Sequence, residues 1–310
     1  MTEPKPGTLY VVGTPIGNLE DITFRAVRIL QSVDLIAAED TRHTGKLLQH
    51  FQITAPQLSY HDHNRNSRIA ELLEKLHQGK AIALVSDAGM PGISDPGYEL
   101  VKACIEAGIT VVPIPGASAV ITALSASGLA TDRFVFEGFL LAKGKERKER
   151  LEFLISETRT IIFYESPHRL RQTLKDLGEV LGTQRQIVLA RELTKLHEEF
   201  WRGNIGEAIA LYGQGNAMPQ QQREPQGEYT LVVAGTPPAK PQLSEAELKS
   251  ELHQLMAQGI TRSQASRQLA KVTSVSRSQL YQLALTLPAI DNPEDSGGEE
   301  NEGSSVKDEG

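Results

Sequence analysis

Ala81-Ile82-Ala83-Leu84-Val85 is an unbroken apolar run, and it opens directly onto Ser86-Asp87-Ala88-Gly89-Met90-Pro91-Gly92-Ile93-Ser94-Asp95-Pro96-Gly97. A run of that length without polar alternation fits a strand buried on both faces, as in a parallel sheet with helices on either side. In such sheets ligands bind beyond the carboxyl ends of the strands. The glycines let backbone approach a ligand closely, and the prolines hold the loop rigid. The stretch is too long and too polar to serve only as a turn, so it is the first candidate ligand loop.

The rest of the first half repeats that grammar. Strands are expected at Thr8–Val12, Leu35–Ala38 and Thr110–Ile114. Helices are expected at Thr23–Gln31, entered through Asp21 as a cap, and at Thr44–Phe51, Tyr98–Ala107 and Ala117–Ser127. Within Asn66–Gln78, Ile69, Leu72, Leu73 and Leu76 recur at i, i+3, i+4, i+7, a helix with one buried face. Strand–helix alternation of this kind predicts a largely parallel α/β sheet. Three more strand ends carry unusual loops: Gly13-Thr14-Pro15-Ile16-Gly17-Asn18, Glu39-Asp40-Thr41-Arg42, and Pro115-Gly116-Ala117-Ser118-Ala119. The first lacks G-x-G-x-x-G, so the usual dinucleotide fingerprint is absent.

After Gly128 the alternation restarts. Strands are expected at Arg133–Phe139, Thr160–Tyr164, Gln186–Ala190 and Tyr229–Ala234, with helices at Lys145–Ser156, His168–Leu181 and Asn204–Tyr212. Gly213–Pro225 reads as a surface insertion rich in Gly, Gln and Pro. The expected organisation is an N-terminal α/β domain over 1–125, a second over 126–238, a small helical module over 243–287 and a disordered acidic tail over 288–310. The module follows a linker with Pro237, Pro238 and Pro241, and three S/T-x-x-E/Q patterns open its helices at Ser244–Glu247, Thr261–Gln264 and Ser276–Gln279. That is a three-helix unit of helix-turn-helix type. Its bases Arg262, Arg267, Lys271 and Arg277, with no acid between the first and last, form either a solvated face or a set of phosphate contacts.

Charge and cysteine content narrow the classes. The net charge of −7 comes entirely from residues 291–310, which hold eight acids and one base and leave 31 of each in the remainder. Overall acidity is therefore no argument against a nucleic-acid partner. No run approaches the ~20 apolar residues of a membrane span, and Met1–Gly7 lacks a signal-peptide core. The single cysteine, Cys104, sits in an apolar helical pattern and reads as a buried side chain; alone it builds neither an intramolecular disulfide nor a Cys-based zinc site. The expectation is a soluble cytoplasmic protein.

Gly13–Asn18, Ala38–Arg42, Ser86–Gly97, Pro115–Ala119 and the segment Phe163-Tyr164-Glu165-Ser166-Pro167-His168-Arg169 closely resemble the ribosomal RNA small subunit methyltransferase I family, part of the tetrapyrrole methylase superfamily. Arg191–Lys195, His197-Glu198 and Gly227-Glu228 fall where that family has them. The resemblance runs from about Thr8 to Ala234, and relatives commonly end in a small helical module. It implies two αβα domains with S-adenosyl-L-methionine in the cleft between them. It also implies methylation of the ribose 2′-hydroxyl of a cytidine in the decoding centre of small-subunit rRNA, with that rRNA or the assembled subunit as partner and a homodimer as the superfamily's assembly. Two departures stand out: Met90 replaces the more usual Thr, and Gly92 a larger apolar residue. The 213–225 insertion also looks longer than usual.

By resemblance, Asp87, Ala88, Gly89, Met90, Ile93 and Ser94 line the methionine moiety, while Pro115, Gly116, Ala117, Ser118 and Tyr164 lie near the adenosine. Deprotonating a ribose hydroxyl calls for a base or an oxyanion-stabilising cation. Asp40, Arg42, Glu165, His168 and Arg169 are the candidates to flank the target ribose, with Arg191, Glu192 and Lys195 as a third polar cluster. Bland readings stand beside these. Asp87 could cap its turn, Arg42 and Arg169 could pair structurally with Asp40 and Glu165, and His168 could cap its helix. His61 and His63 lack further ligands at metal spacing and read as a solvated loop. Lys143, Lys145, Arg147, Lys148 and Arg150 could touch phosphates or form an ordinary solvated helix with Glu146 and Glu149. Phe200 and Trp201 read as core. Two other functions compete: a tetrapyrrole C-methyltransferase of the same fold, and a nucleic-acid-binding regulator whose α/β part only senses a ligand.

Overall fold

In the computed structural model, residues 4–213, 223–237 and 243–288 are described. Most of the 213–225 insertion, Pro238 and Pro241 of the linker, and the acidic tail from 289 onward lie outside them. The chain forms two compact units, Met1–Thr236 and Pro237–Gly310.

The first unit holds two five-stranded sheets. One contains β1 (Thr8–Val12), β2 (Leu35–Ala38), β3 (Gln57–Ser59), β4 (Ile82–Val85) and β5 (Thr110–Ile114) in the order β3-β2-β4-β1-β5. Every pairing in it is parallel. Central β1 and β4 are buried along their whole length, as the unalternating apolar run requires. The two faces are covered separately. Tyr10, Val12, Ala83 and Val85 pack under α1 (Phe24–Ser32) and α2 (Thr41–His50). Leu9, Val11, Ile82 and Leu84 pack under α3 (Arg65–His77) and α4 (Tyr98–Glu106). Cys104 lies in this second layer, fully buried, and burial pushes its thiol up to about 11. The cap of α1 is Thr23, whose hydroxyl accepts from the Ala26 N–H at 3.0 Å. Asp21 instead ends a short 3-10 turn, Leu19–Asp21, capped by Asn18, so the expected role of Asp21 is corrected.

The second sheet is mixed. It contains β6 (Phe134–Phe139), β7 (Thr160–Glu165), β8 (Gln186–Arg191), β9 (Glu199–Asn204) and β10 (Tyr229–Val233) in the order β6-β7-β10-β8-β9. Only the β6–β7 pair is parallel; β10 runs antiparallel between β7 and β8. One face packs on α6 (Lys145–Phe153), α7 (Pro167–Leu181) and α8 (Ile205–Tyr212). The other packs on α5 (Ala119–Ser127), which follows β5 of the first sheet and thereby ties the two sheets together. Phe200 and Trp201 alternate on β9, each packed against a different face's core.

The second unit is a three-helix bundle of α9 (Glu245–Ala257), α10 (Arg262–Val272) and α11 (Arg277–Leu285) around Leu248, Leu252, Met256, Leu269 and Leu280. Ser244–Glu247 and Ser276–Gln279 form reciprocal capping boxes. At the third pattern only Thr261 engages, accepting from the Gln264 N–H. Among the described residues no helix is long and apolar enough to cross a membrane.

Candidate active site

Because all strands of the first sheet are parallel, the loops after β1, β2, β4 and β5 emerge on one side. They bond to one another there. Thr14 and Gly89 exchange backbone hydrogen bonds at 2.9 and 3.1 Å, and the Thr14 hydroxyl donates to the Ser86 carbonyl at 3.2 Å. The Asp40 N–H donates to Asp87 Oδ1 at 3.1 Å, and the Asp87 N–H to Glu39 Oε2 at 3.3 Å. Gly13 and Gly116 lie backbone to backbone: a Cβ on Gly116 would sit 2.7 Å from the Gly13 Cα and carbonyl carbon. Only two glycines tolerate that approach.

The same loops reach the second sheet. A Cβ on Gly17 would meet the Lys195 and Thr194 side chains at 2.4 and 2.8 Å. At the bulge between Phe136 and Gly138, Gly138 adopts a φ of 63°, and a side chain there would press on Ser94 Oγ. Among the described residues, four non-glycines have left-handed φ: Gln52, Ser94, Glu192 and Thr194. Three of them border the same place, where such strain tends to collect at functional sites.

Between the sheets lies a cavity of about 500 Å³. The first sheet contributes Ile16, Glu39 and the β4 loop; the second contributes the ends of β7 and β8 and the start of β10, with Ser118 and Ala119 of the α5 entry between them. Of the residues expected to hold a cofactor, Asp87, Ala88, Gly89, Met90, Ile93, Ser94, Ser118 and Tyr164 line it. Pro115, Gly116 and Ala117 do not; Pro115 is exposed and Gly116 is spent on packing against Gly13.

Of the five residues expected beside the acceptor, Glu165 alone lines the cavity. Its buried carboxylate accepts from Thr173 Oγ1 at 2.5 Å and the Ser166 N–H at 2.8 Å, and pairs with Arg169 Nε at 3.0 Å. Arg169 also donates to the Leu140 carbonyl and lies over the Phe139 ring. Asp40 caps α2 and holds Arg42 through two side-chain hydrogen bonds of 3.1 and 2.6 Å; that guanidinium keeps its carboxyl well below the usual carboxylate range. Arg42 itself is 89% exposed. His168 is exposed in the first turn of α7, whose cap is Ser166, so it does not cap the helix. Its side chain makes no hydrogen bond or ion pair among the described residues.

The third cluster locks a loop. Lys195 Nζ bonds Glu192 and Glu228, both at 2.9 Å, and the Glu228 N–H donates to Glu192 Oε1 at 2.9 Å. Burial works against the Glu192 charge, yet the Glu228 N–H and Lys195 prevail and lower its pKa. Arg191 is held by the Gln226 carbonyl at 2.7 Å. Among the α6 cations Lys145 and Lys148 sit on a solvated face, and Arg147 departs from it. Arg147, 6% exposed, turns inward onto Asp176, Thr173 and the Leu141 carbonyl, which corrects its expected exposure. Lys145, Lys148 and Arg150 pair with Glu149, Glu152 and Glu137.

Sequence reasoning passed over an electrostatically unusual group in the cavity wall. Asp95 lines the cavity, and burial, with help from Glu39 and Asp87, pushes its carboxyl up to about 7. Burial likewise raises Glu39. The signal was present, since Asp95 sits in the polar loop after a buried strand, but nothing in sequence says which polar residue of a loop turns inward. The far wall, Ala190, Leu193, Tyr229 and Thr230, was equally silent.

Comparison with known proteins places these features. The family of Tetrapyrrole (Corrin/Porphyrin) Methylases matches residues 8–209. A Synechocystis protein named Ribosomal RNA small subunit methyltransferase I is 63% identical over 284 residues, covering 91% of this chain and 99% of its own. One of the same name from Escherichia coli is 50% identical over 279 residues, 90% of this chain and 95% of its own. Among solved structures, uroporphyrin-III C-methyltransferase from Thermus thermophilus complexed with S-adenosyl homocysteine shares the fold at 18% identity. Its TM-score is 0.51, and the match covers 73% of this chain and 97% of that one.

Proposed function

The chain belongs to the tetrapyrrole methylase family and, within it, to the ribosomal RNA small subunit methyltransferases I. From that premise we propose that it methylates the ribose 2′-hydroxyl of a cytidine in the decoding centre of small-subunit rRNA, with S-adenosyl-L-methionine as donor. The observation that carries the cofactor half of this reading is the cavity's chemistry. Its volume falls in the range of small-molecule sites. Glu39, Asp87 and Asp95 give it an acidic region suited to a cation, such as the ammonium and sulfonium of this donor. Ser118 and Ala119, both small, line the same cavity as the Tyr164 ring, a combination suited to a planar base. When bound, the donor supplies an electrophilic methyl group.

The protein's own part is to hold, orient and exclude water. Asp87, Ala88, Gly89, Met90, Ile93 and Ser94 hold the methionine end, with Asp95 and Glu39 adding negative charge. Ser118 and Tyr164 hold the adenosine end; the Gly13–Gly116 contact seats the β5 loop that carries Ser118 on the β1 loop, and the β1 loop bonds through Thr14 to Gly89 of the β4 loop. In-line transfer depends on such positioning for much of its rate. On the acceptor side, Glu165 anchors Arg169, and Asp40 aims Arg42. Exposed His168 directly follows the lining residue Pro167, exposed Arg42 lies three residues after the lining residue Glu39, and both meet the RNA. His168, with no hydrogen-bonding or ionic partner among the described residues, takes up the hydroxyl proton.

The reading is tested by incubating the protein with labelled donor and small ribosomal subunits, then mapping the label by mass. A 2′-O-methylcytidine in the decoding centre is the expected product. Label appearing on a uroporphyrinogen and not on rRNA would replace this function with the tetrapyrrole one.

A further inference from the structure

The three-helix unit has a face that its own packing does not explain. Helices α10 and α11 are joined by four residues, Thr273–Ser276, the spacing of a helix-turn-helix. Their apolar sides, Ala265, Leu269, Leu280 and Ala284, are consumed by the core they share with α9. What remains outward is rich in Ser, Gln and base. Ser263, Arg267, Lys271, Arg277, Ser278 and Tyr281 are all exposed. Ser263, Arg277, Ser278 and Tyr281 line one concavity, and Arg277 bridges the two helices by donating to Ser263 Oγ at 3.0 Å.

Charge decides what such a face can meet. On α3, α4, α6, α7 and α9 cations pair with acids on the same helix, as Lys145 does with Glu149 and Lys249 with Glu245. Arg25 on acid-free α1 and Lys46 on acid-free α2 stand singly without an ion pair among the described residues. On α10 and α11 that partner type is missing, because no Asp or Glu occurs from Leu252 to Ile290. Arg267, Lys271 and Arg277 accordingly make no ion pair among the described residues. The fourth base behaves differently: Arg262 is half-buried and donates to the Leu287 carbonyl at 3.0 Å, so it belongs to the fold. Three unneutralised cations, flanked by hydroxyl and amide donors and one exposed ring, match a phosphodiester backbone with a base free to stack.

We infer that the α10–α11 face, centred on Arg267, Lys271 and Arg277, is a binding surface for the RNA backbone of the substrate. The inference rests on the reading that RNA is the acceptor, and adds where the chain grips it outside the catalytic cavity. Each phosphate neutralised contributes about 0.7 to the slope of log affinity against log salt for a single strand, so three cations contribute about 2.

The test compares full-length wild type with the Arg267→Gln/Lys271→Gln/Arg277→Gln variant, using a labelled single-stranded RNA oligonucleotide and, separately, small ribosomal subunits. The variant is expected to bind the oligonucleotide about tenfold more weakly at low salt, with the slope reduced by about 2. Its KM for subunits should rise by a similar factor while kcat and donor affinity stay unchanged. An Arg267→Lys/Arg277→Lys variant should keep the wild-type slope, since charge and not shape is being read. If wild type methylates subunits and the Gln variant matches it in KM and slope, this surface is not an RNA site. Duplex DNA bound more tightly than RNA, and alone responding to the substitutions, would also overturn it. If wild type methylates no rRNA yet the slope difference appears, the proposed function fails and the surface stands.

Discussion

Asp95 is an acid held against its preference. In the unfolded chain an aspartate titrates near 3.9, whereas in the fold burial first, and then Glu39 and Asp87, move it to about 7, with only the Ser86 hydroxyl pulling the other way. Below pH ~4 both states are protonated. Between ~4 and ~7 the unfolded chain has lost the proton and the folded one keeps it, so stability falls as pH rises across that window and levels off above it. Asp95→Asn should remove this decline and raise the melting temperature at pH 8 by a few degrees, at the expense of donor affinity. A cationic ligand favours the ionised form. Binding of S-adenosylmethionine should therefore tighten as pH rises through about 7, with proton release readable by calorimetry in buffers of different ionisation enthalpy. If Asp95→Asn kept the same pH dependence and proton release, another group would be responsible. Arg42 offers the opposite case. Its pair with Asp40 is surface-exposed, and such pairs add little stability, so Arg42→Ala should melt at the wild-type temperature while subunit methylation drops at least tenfold. Full methylation by that variant would remove Arg42 from the acceptor side.

At the scale of elements, the cavity is bounded by loops from different strands that interlock, and Gly116 is the point of that lock where backbone meets backbone most closely. The three atoms nearest to a methyl there are all Gly13 backbone, at 2.7–2.8 Å, where no flexible side-chain end can yield. Gly116→Ala should part the β1 and β5 loops, destabilise the first unit by about 1–3 kcal/mol and weaken donor binding more than tenfold in a direct titration; wild-type affinity would mean the two loops need not touch. This lock also explains what could be read from sequence. The parallel sheet and its loops were legible because buried strands show as unbroken apolar runs and close backbone contacts demand glycine. Two strands left no such trace: β3 is three half-buried residues, and β9 reads Glu-Phe-Trp-Arg-Gly-Asn, polar on both sides of two aromatics. The far wall comes from antiparallel β7, β8 and β10, whose register brings Tyr229 opposite both Glu165 and Arg191. Pairings across 38 and 64 residues leave no local mark. Arg147 hid for the same reason, since the Asp176 and Thr173 that draw it inward are a helix away.

For the whole molecule the distribution of charge matters more than its total. Residues 1–290 balance to zero, and residues 291–310 carry all seven net negative charges directly after the helical unit whose α10–α11 face is acid-free. An RNA approaching that unit meets an attractive face and a repulsive segment of the same chain. Between exposed charges both effects reach about 10 Å at 0.1 M salt and about 3 Å at 1 M, and they act chiefly on the rate of encounter. A protein lacking residues 291–310 should therefore keep its melting temperature and donor affinity but associate with small subunits several-fold faster at low salt. The advantage should vanish near 1 M, and dissociation should change little. Stopped-flow association across a salt series measures this directly. Slower association by the shortened protein at low salt would mean that the acidic segment attracts a basic part of the subunit, and that charge balance alone does not govern the encounter.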